Sequence, residues 1–263
     1  MINDFMQKMI KRFSVLAMIV SGFLLVFANS AAAQNKPAKA DYPKLAATGT
    51  KIEDFVPQNW KIIERKEGDL NGDKLADAVL ILKGTNPKFF NKSEPLFGEA
   101  VTDEKTGETK FIMDSNPRIL AVLLKEKNGY KLAAQNDSII PFLDYPSGET
   151  IRRVTVENVD LNIELIFMER RHGYVYTEKF YKFRFVNSAI ALVNAKRIDT
   201  SRYEKNVVEE REYDFLTNQV TVKQTSFSDK KLLSDKKRSF KTDKPKTLKE
   251  LVADWEIEKG YFL

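Results

Sequence analysis

Between Tyr174 and Phe185 the chain reads Tyr-Val-Tyr-Thr-Glu-Lys-Phe-Tyr-Lys-Phe-Arg-Phe, an alternation that an extended strand satisfies and a helix does not. In its second half Tyr181, Phe183 and Phe185 fall on one face, while Lys182 and Arg184 fall with Phe180 on the other. One face is predicted to pack and the other to meet water, as antiparallel sheets allow. The same period recurs in Val154–Asn158, Leu161–Phe167, Ile190–Lys196 and Val220–Gln224. Earlier runs, Trp60–Arg65, Ala78–Lys83, Ile119–Lys125 and Tyr130–Ala134, are more continuously apolar and suit strands covered on both faces.

Turn signals join these segments. Asn128-Gly129, Asn187-Ser188 and Thr217-Asn218-Gln219 supply residues that accept the positive φ of tight hairpins. The expected fold is mainly β, with antiparallel meander sheets in a sandwich or a degenerate propeller-like arrangement. A short C-terminal helix is also predicted: Thr247-Leu-Lys-Glu250 is a capping box, and Leu248, Leu251, Val252 and Trp255 recur at helical spacing before Gly260.

The N-terminal segment predicts export. Lys8, Lys11 and Arg12 precede the apolar run Phe13–Phe27, and Ala31-Ala-Ala33 supplies small residues for cleavage before Gln34. The run is shorter than the roughly 20 residues of a membrane span, so residues 1–33 read as a signal peptide, with an uncleaved anchor as the alternative. Residues 34–50, rich in Ala, Lys, Pro and Thr, read as a flexible leader. Residues 51–263 then form a single β-rich domain. It is interrupted at 87–117 by a polar, proline-bounded insertion of a kind that is usually functional or disordered. The chain contains no cysteine, so its stability must come from core burial and not from disulfides.

Charge is unevenly placed. The chain carries a formal +6, and from Lys223 to Lys249 ten basic residues stand against three acidic ones. This basic C-terminal segment reads either as a contact for an acidic envelope component or as a sheet edge that its lysines protect from pairing. Nucleic acid is a poor match for an exported chain.

One segment carries recognisable chemistry. Gly68-Asp-Leu-Asn-Gly-Asp-Lys-Leu-Ala-Asp77 sets oxygens of Asp69, Asn71, Asp73 and Asp77, with the carbonyl of Leu75, at alternate positions. That is how a chain curls around Ca2+, a hard cation taking six to eight oxygen ligands. The alternative is an Asx-rich turn whose side chains bond their own backbone. The segment resembles the calcium loop of FG-GAP-type repeats, in which such a loop joins two strands of an integrin-like propeller blade. It is less similar to an EF-hand, because position 12 is Leu80 and a strand follows. Lys74 stands where such loops usually have Gly; if that position needs positive φ, Lys adds strain there. Phe55-Val-Pro57-Gln-Asn-Trp60-Lys-Ile-Ile63, together with Tyr181–Phe185 and Leu192-Val193, is similar to a broad group of exported bacterial proteins of unknown function. That resemblance implies no activity.

Catalytic constellations are weak. His172 is the single histidine and sits beside Arg170 and Arg171, which disfavour a protonated ring, so it reads as a turn residue. No phosphate-cradling glycine loop and no serine elbow occurs. The sequence therefore favours a periplasmic or secreted binding or interaction protein with one structural calcium loop. Its partner is expected to be an unidentified protein or an acidic envelope component, with no stable membrane span after signal cleavage. An envelope-directed hydrolase using Asp and Glu carboxylates is the alternative.

Overall fold

The computed structural model describes residues 42–92, 99–140, 150–169, 175–201, 206–242, 246–253, 255–259 and 261–263. The signal peptide, residues 34–41 of the leader, and Arg170, Arg171 and His172 lie outside the described residues. The strands follow in chain order. β1 (Thr48–Gly49), β2 (Trp60–Gly68) and β3 (Asp77–Gly84) come first, then β4 (Phe90–Lys92), β5 (Glu99–Thr102) and β6 (Thr109–Asp114). Next are β7 (Arg118–Glu126) and β8 (Gly129–Asn136), then β9 (Ile151–Glu157), β10 (Asp160–Glu169), β11 (Val175–Val186) and β12 (Ala189–Ser201). β13 (Val207–Asp214), β14 (Gln219–Ser226) and β15 (Leu232–Ser239) precede a closing pair, β16 (Glu256–Glu258) and β17 (Tyr261–Phe262).

Two antiparallel sheets make the body. One has five strands in the order β1-β8-β7-β3-β2; the other is a seven-stranded meander running from β15 to β9. Alternation in β3 and β7 explains why these strands are apolar throughout. Val79, Ile81, Leu120 and Val122 face a core shared with Leu161, Ile163, Tyr181 and Phe183 of the second sheet. Ala78, Leu80, Leu82, Ile119 and Ala121 face the opposite way, against Leu45, Ile52 and Phe55. Each Val, Leu, Ile or Phe among them that is fully removed from water contributes about 1.5–3 kcal/mol. The molecule is thus a sandwich with a third, N-terminal layer, and among the described residues no radial series of four-stranded blades occurs.

That third layer corrects the reading of residues 42–50 as leader. Leu45 is buried, its backbone N–H donates to the Gln135 side chain at 3.0 Å, and Gln135 donates in return to the Pro43 carbonyl at 2.8 Å. Thr48 and Gly49 then pair with β8. The fold begins at least as early as Tyr42, because strand pairing and one glutamine hold a segment whose own composition would leave it loose.

Residues 87–117 are folded where they are described. A 3-10 turn at Pro87–Phe89 leads into a three-stranded sheet ordered β4-β6-β5. Lys83 and Asp114 tie its base to the body with a 2.8 Å ion pair, while Phe90 and Val101 are exposed.

The predicted C-terminal helix is corrected to a single turn. Half of the capping box forms: the backbone N–H and hydroxyl of Thr247 both donate to the Glu250 carboxylate, at 2.9 and 2.8 Å, while the Glu250 N–H donates to the Thr247 carbonyl. Beyond it, buried Asn136 donates its amide to the carbonyls of Leu248 and Leu251, at 2.5 and 2.7 Å. Those are the acceptors that Val252 and Trp255 would need for the helix to continue. The Leu248 N–H donates to the Ile190 carbonyl, so the segment is held against the sheet. Leu248 and Leu251 still reach the shared core.

The hairpin signals are borne out. Asn187 and Ser188 both take positive φ, as does Asn218. Gly129 starts β8 at φ +148, where a Cβ would stand 2.2 Å from the Gly49 carbonyl oxygen, so the passage of β1 requires glycine there. Among the described residues no helix is long and apolar enough to cross a membrane.

Candidate functional site

The Gly68–Asp77 segment connects β2 to β3 and is closed by its own side chains. Asp69 Oδ1 accepts from the N–H groups of Gly72 at 2.6 Å and Asn71 at 3.2 Å, and its Oδ2 accepts from Lys74 at 2.8 Å. The Asn71 side-chain oxygen accepts from the Asp73 N–H at 3.0 Å, and Asp73 Oδ1 accepts from the Leu75 N–H at 2.8 Å. Asn71 also donates its amide to Asp73 Oδ2 at 3.0 Å. Gly72 and Lys74 carry φ values of +81 and +69, so Lys74 does occupy the position that favours glycine.

Asp77 behaves differently from the three residues on the rim. It is fully buried, and its two oxygens accept from the N–H groups of Leu70, at 2.8 Å within the loop, and Lys125, at 2.7 Å on β7. Burial pushes its pKa up; the two amides oppose this, and the charges of Asp73 and Asp69 add to it. For Asp69 desolvation also acts against ionisation, but the amides of Lys74, Gly72 and Asn71 outweigh it and hold the pKa below the usual value. The structure thus gathers half-buried Asp69 and Asn71 and exposed Asp73 on the loop's rim and draws Asp77 inward as a staple between loop and sheet. Leu75 is exposed. Among the described residues no group of three or more Asp, Glu or His side chains is placed to hold a metal ion. The donor chemistry nonetheless suits a hard cation: a carboxylate offers about four lone-pair sites, and Asp69 and Asp73 use only part of theirs.

A second feature emerges on the outer face of the seven-stranded sheet. A cleft of about 320 Å³ opens over β9 to β13. Its floor is a cross-strand ladder: Arg153 pairs with Glu164, Glu164 with Phe180, Phe180 with Lys196, and Lys196 with Glu212. Charges alternate along this row, which is the favourable order for directly opposed side chains. Arg153 Nε donates to Glu164 at 2.9 Å, and the Lys196 ammonium lies 4.7 Å from the centre of the Phe180 ring. A parallel row places Thr155, Asn162, Lys182 and Asn194 side by side. Asn194 donates to Glu212 at 3.1 Å. Asp160, in the cleft's lining, is held by Arg184 in a two-pronged pair at 2.6 and 2.8 Å, and that carboxylate raises the arginine's pKa. Register shifts fall at Glu164/Leu165 and Lys182/Phe183, and bulges of this kind bend the strand and re-aim the side chains beside them.

Sequence reading placed Lys182 and Arg184 on the wet face correctly but did not find the cleft. Its signal was there, as polar residues at period two in Asn162-x-Glu164 and Asn194-x-Lys196. Which strand lies beside which cannot be read from any one of them.

The basic segment forms the sheet's edge. β15 lies outermost, with Lys236 and Lys237 exposed. Arg238 turns back to grip Glu258 at 2.6 and 2.7 Å, a bond that lowers the Glu258 pKa. Beneath it, burial and the Glu258 charge push the Tyr213 hydroxyl up to about 12. Lys244 lies outside the described residues.

No protein family, no characterised protein and no solved structure is found to be similar to this chain.

Proposed function

We propose that this chain is an exported binding protein that engages a polar envelope ligand in the cleft on the outer face of its seven-stranded sheet. The observation that carries the proposal is the ladder Arg153, Glu164, Phe180, Lys196 and Glu212. It displays donors, acceptors and one ring at fixed strand spacing on a rigid element, which is the make-up of a recognition site for hydroxyl-rich or zwitterionic groups. Export is supported by Lys8, Lys11 and Arg12 before Phe13–Phe27 and by Ala31–Ala33.

The hydrolase reading finds less support. A glycosidase-like pair needs one carboxyl free to give its proton to the leaving group and a second beside it; of the four carboxylates lining the cleft, Asp160, Glu164 and Glu212 are engaged by Arg184, Arg153 and Asn194, which leaves Glu157 with no unengaged carboxyl among them to act with. The test is binding of cell-envelope saccharide fragments and short peptides by the purified protein and by its Asn162→Ala/Lys196→Ala variant. Binding that weakens at least about tenfold in the variant is expected, since two polar contacts are lost. Undiminished binding would overturn the assignment to the cleft, and turnover of any fragment would favour the hydrolase.

Calcium at Asp69, Asn71, Asp73 and the Leu75 carbonyl is part of the same proposal, supported by the FG-GAP-like spacing and by the acceptor sites that Asp69 and Asp73 leave unused. Asp77 then closes the loop. An ion bound only by the folded chain raises the melting temperature, by about 2.7 kcal/mol of stabilisation at a hundredfold excess over its dissociation constant. Asp73→Ala should abolish that rise, and in chelator it should lower the melting temperature only by the smaller loss of its bonds to Leu75 and Asn71; equal loss in both conditions would reduce the loop to an Asx turn.

A further inference from the structure

The hairpin joining β14 to β15 combines two features that a protective sheet edge does not combine. Lysines are the usual guard against edge-to-edge pairing, and here Lys230, Lys231, Lys236 and Lys237 are all exposed. In their midst Leu232 and Leu233 are 56% and 51% exposed, the opposite of what a guarded edge carries. Their joint exposure has a structural cause. The β14–β15 register shifts between Gln224 and Thr225, so that Gln224 faces Ser234 while Thr225 faces Leu232. Leu233 is therefore the extra residue of a bulge, and two consecutive side chains escape the sheet. Lys230 stands at φ +60 with its ammonium 4.5 Å from the Phe227 ring, which keeps a cation at the turn. Arg238 is already committed to Glu258.

We propose that this hairpin docks the protein onto an anionic lipid surface, with Leu232 and Leu233 entering the headgroup boundary and Lys230, Lys231, Lys236 and Lys237 pairing with lipid phosphates. The charge is complementary to that surface: Lys223 to Ser239 holds six basic residues and two acidic ones. The leucines distinguish a lipid surface from a soluble acidic polymer, which would need the lysines alone. Basic residues at a membrane surface and apolar side chains at its boundary act together in weak peripheral binding. This inference rests on the β14–β15 hairpin and not on the residues that line the cleft, although Lys237 continues the cleft's row through Thr221, which pairs with Glu212.

The test is co-sedimentation with phosphatidylglycerol-containing and with pure phosphatidylcholine vesicles. Salt-sensitive binding to the anionic vesicles alone is expected. Lys236→Gln/Lys237→Gln should weaken it about 30-fold, from two lysine contacts. Leu232→Ser/Leu233→Ser, which leaves the charge unchanged, should weaken it at least about tenfold. A second readout does not depend on these variants. The chain has no cysteine, so Leu232→Cys takes a single polarity-sensitive fluorophore, and Leu216→Cys, in the β13–β14 turn at the other end of β14, serves as its control. A blue shift at 232 and none at 216 is expected on anionic vesicles. Absence of binding to anionic vesicles, or equal shifts at both sites, would overturn the proposal. Binding lost in the lysine variant but undiminished in the leucine variant would overturn it in favour of an anionic polymer, and pairing of the edge with a protein strand in place of vesicle binding would do the same.

Discussion

In the five-stranded sheet, β3 and β7 meet apolar side chains on both faces; in the seven-stranded sheet, β10, β11 and β12 meet them on one and carry the cleft on the other. The difference lies in what covers each sheet. Residues 42–56 wrap the outer side of the first sheet, and nothing among the described residues wraps the outer side of the second over the cleft. A sheet enclosed on both sides is free to hold a shape but has no surface left for a ligand. The open sheet packs on the enclosed one through the shared core and keeps its other face uncovered. On this view substitutions in the first sheet act on stability and those on the outer face of the second act on binding.

The largest expected effect is at Leu80, which is fully buried between β3 and the N-terminal layer. Leu80→Ala should cost about 2–5 kcal/mol in denaturant unfolding, and a cost below 1 would mean that the third layer contributes little. Gly129→Ala follows: its Cβ would meet the Gly49 carbonyl oxygen at a backbone angle hostile to alanine, so β1 must move, at about 2–3 kcal/mol. Retention of full stability would show that β1 is dispensable.

Asp77→Asn comes next, at about 1–3 kcal/mol, because one of the two buried N–H groups it now satisfies would face an amide donor. Its titration sharpens the same point. Asp77 has a folded pKa above the unfolded value, so its contribution to stability grows as pH falls from above the folded pKa to below the unfolded one. Asp69 has a folded pKa below the unfolded value, so its contribution is present above the ordinary carboxylate range and is lost as pH falls through the folded pKa. Carboxyl-carbon NMR should find the Asp77 midpoint above the ordinary aspartate value and the Asp69 midpoint below it; coincident midpoints would contradict the division into staple and rim.

Smaller effects belong to the second sheet. Val159 sits at φ +63 in the β9–β10 turn, where a branched side chain is strained, so Val159→Gly should raise stability by about 1 kcal/mol. Smallest of all, Lys182→Ala on the wet face should change stability by less than about 0.5 kcal/mol. A large loss there would break the contrast between scaffold and surface.

Local features were legible in the sequence wherever a few neighbouring residues decide the outcome. Tyr181 and Phe183 point inward and Lys182 outward because alternation alone sets their faces, and Asn187-Ser188 turns because its residues tolerate positive φ. The Asp69–Asp77 spacing marked a closed loop for the same reason. What escaped depends on partners far away in the chain. The Thr247–Glu250 pairing expected of a capping box is present in its carboxylate half, yet the chain makes only one turn where Asn136, 112 positions earlier than Leu248, takes the Leu248 carbonyl. Leu45 looked like part of a loose leader until Gln135 held it. The cleft needs Arg153, Glu164, Phe180, Lys196 and Glu212 from five strands in one register, which no single stretch encodes.

The meander order of the second sheet also bears on how the chain reaches this state. From β9 to β15 every strand pairs with its neighbour in sequence, so this sheet can grow one hairpin at a time with short loops to close. The first sheet must bring β3 to β7 across the whole β4–β6 arm and β1 to β8, where Thr48 meets Lys131. Distant pairings of that kind slow folding. We therefore expect the sheet that presents the cleft to gain protection before the enclosed sheet in pulse-labelled hydrogen exchange during refolding; simultaneous protection of both would reject that order.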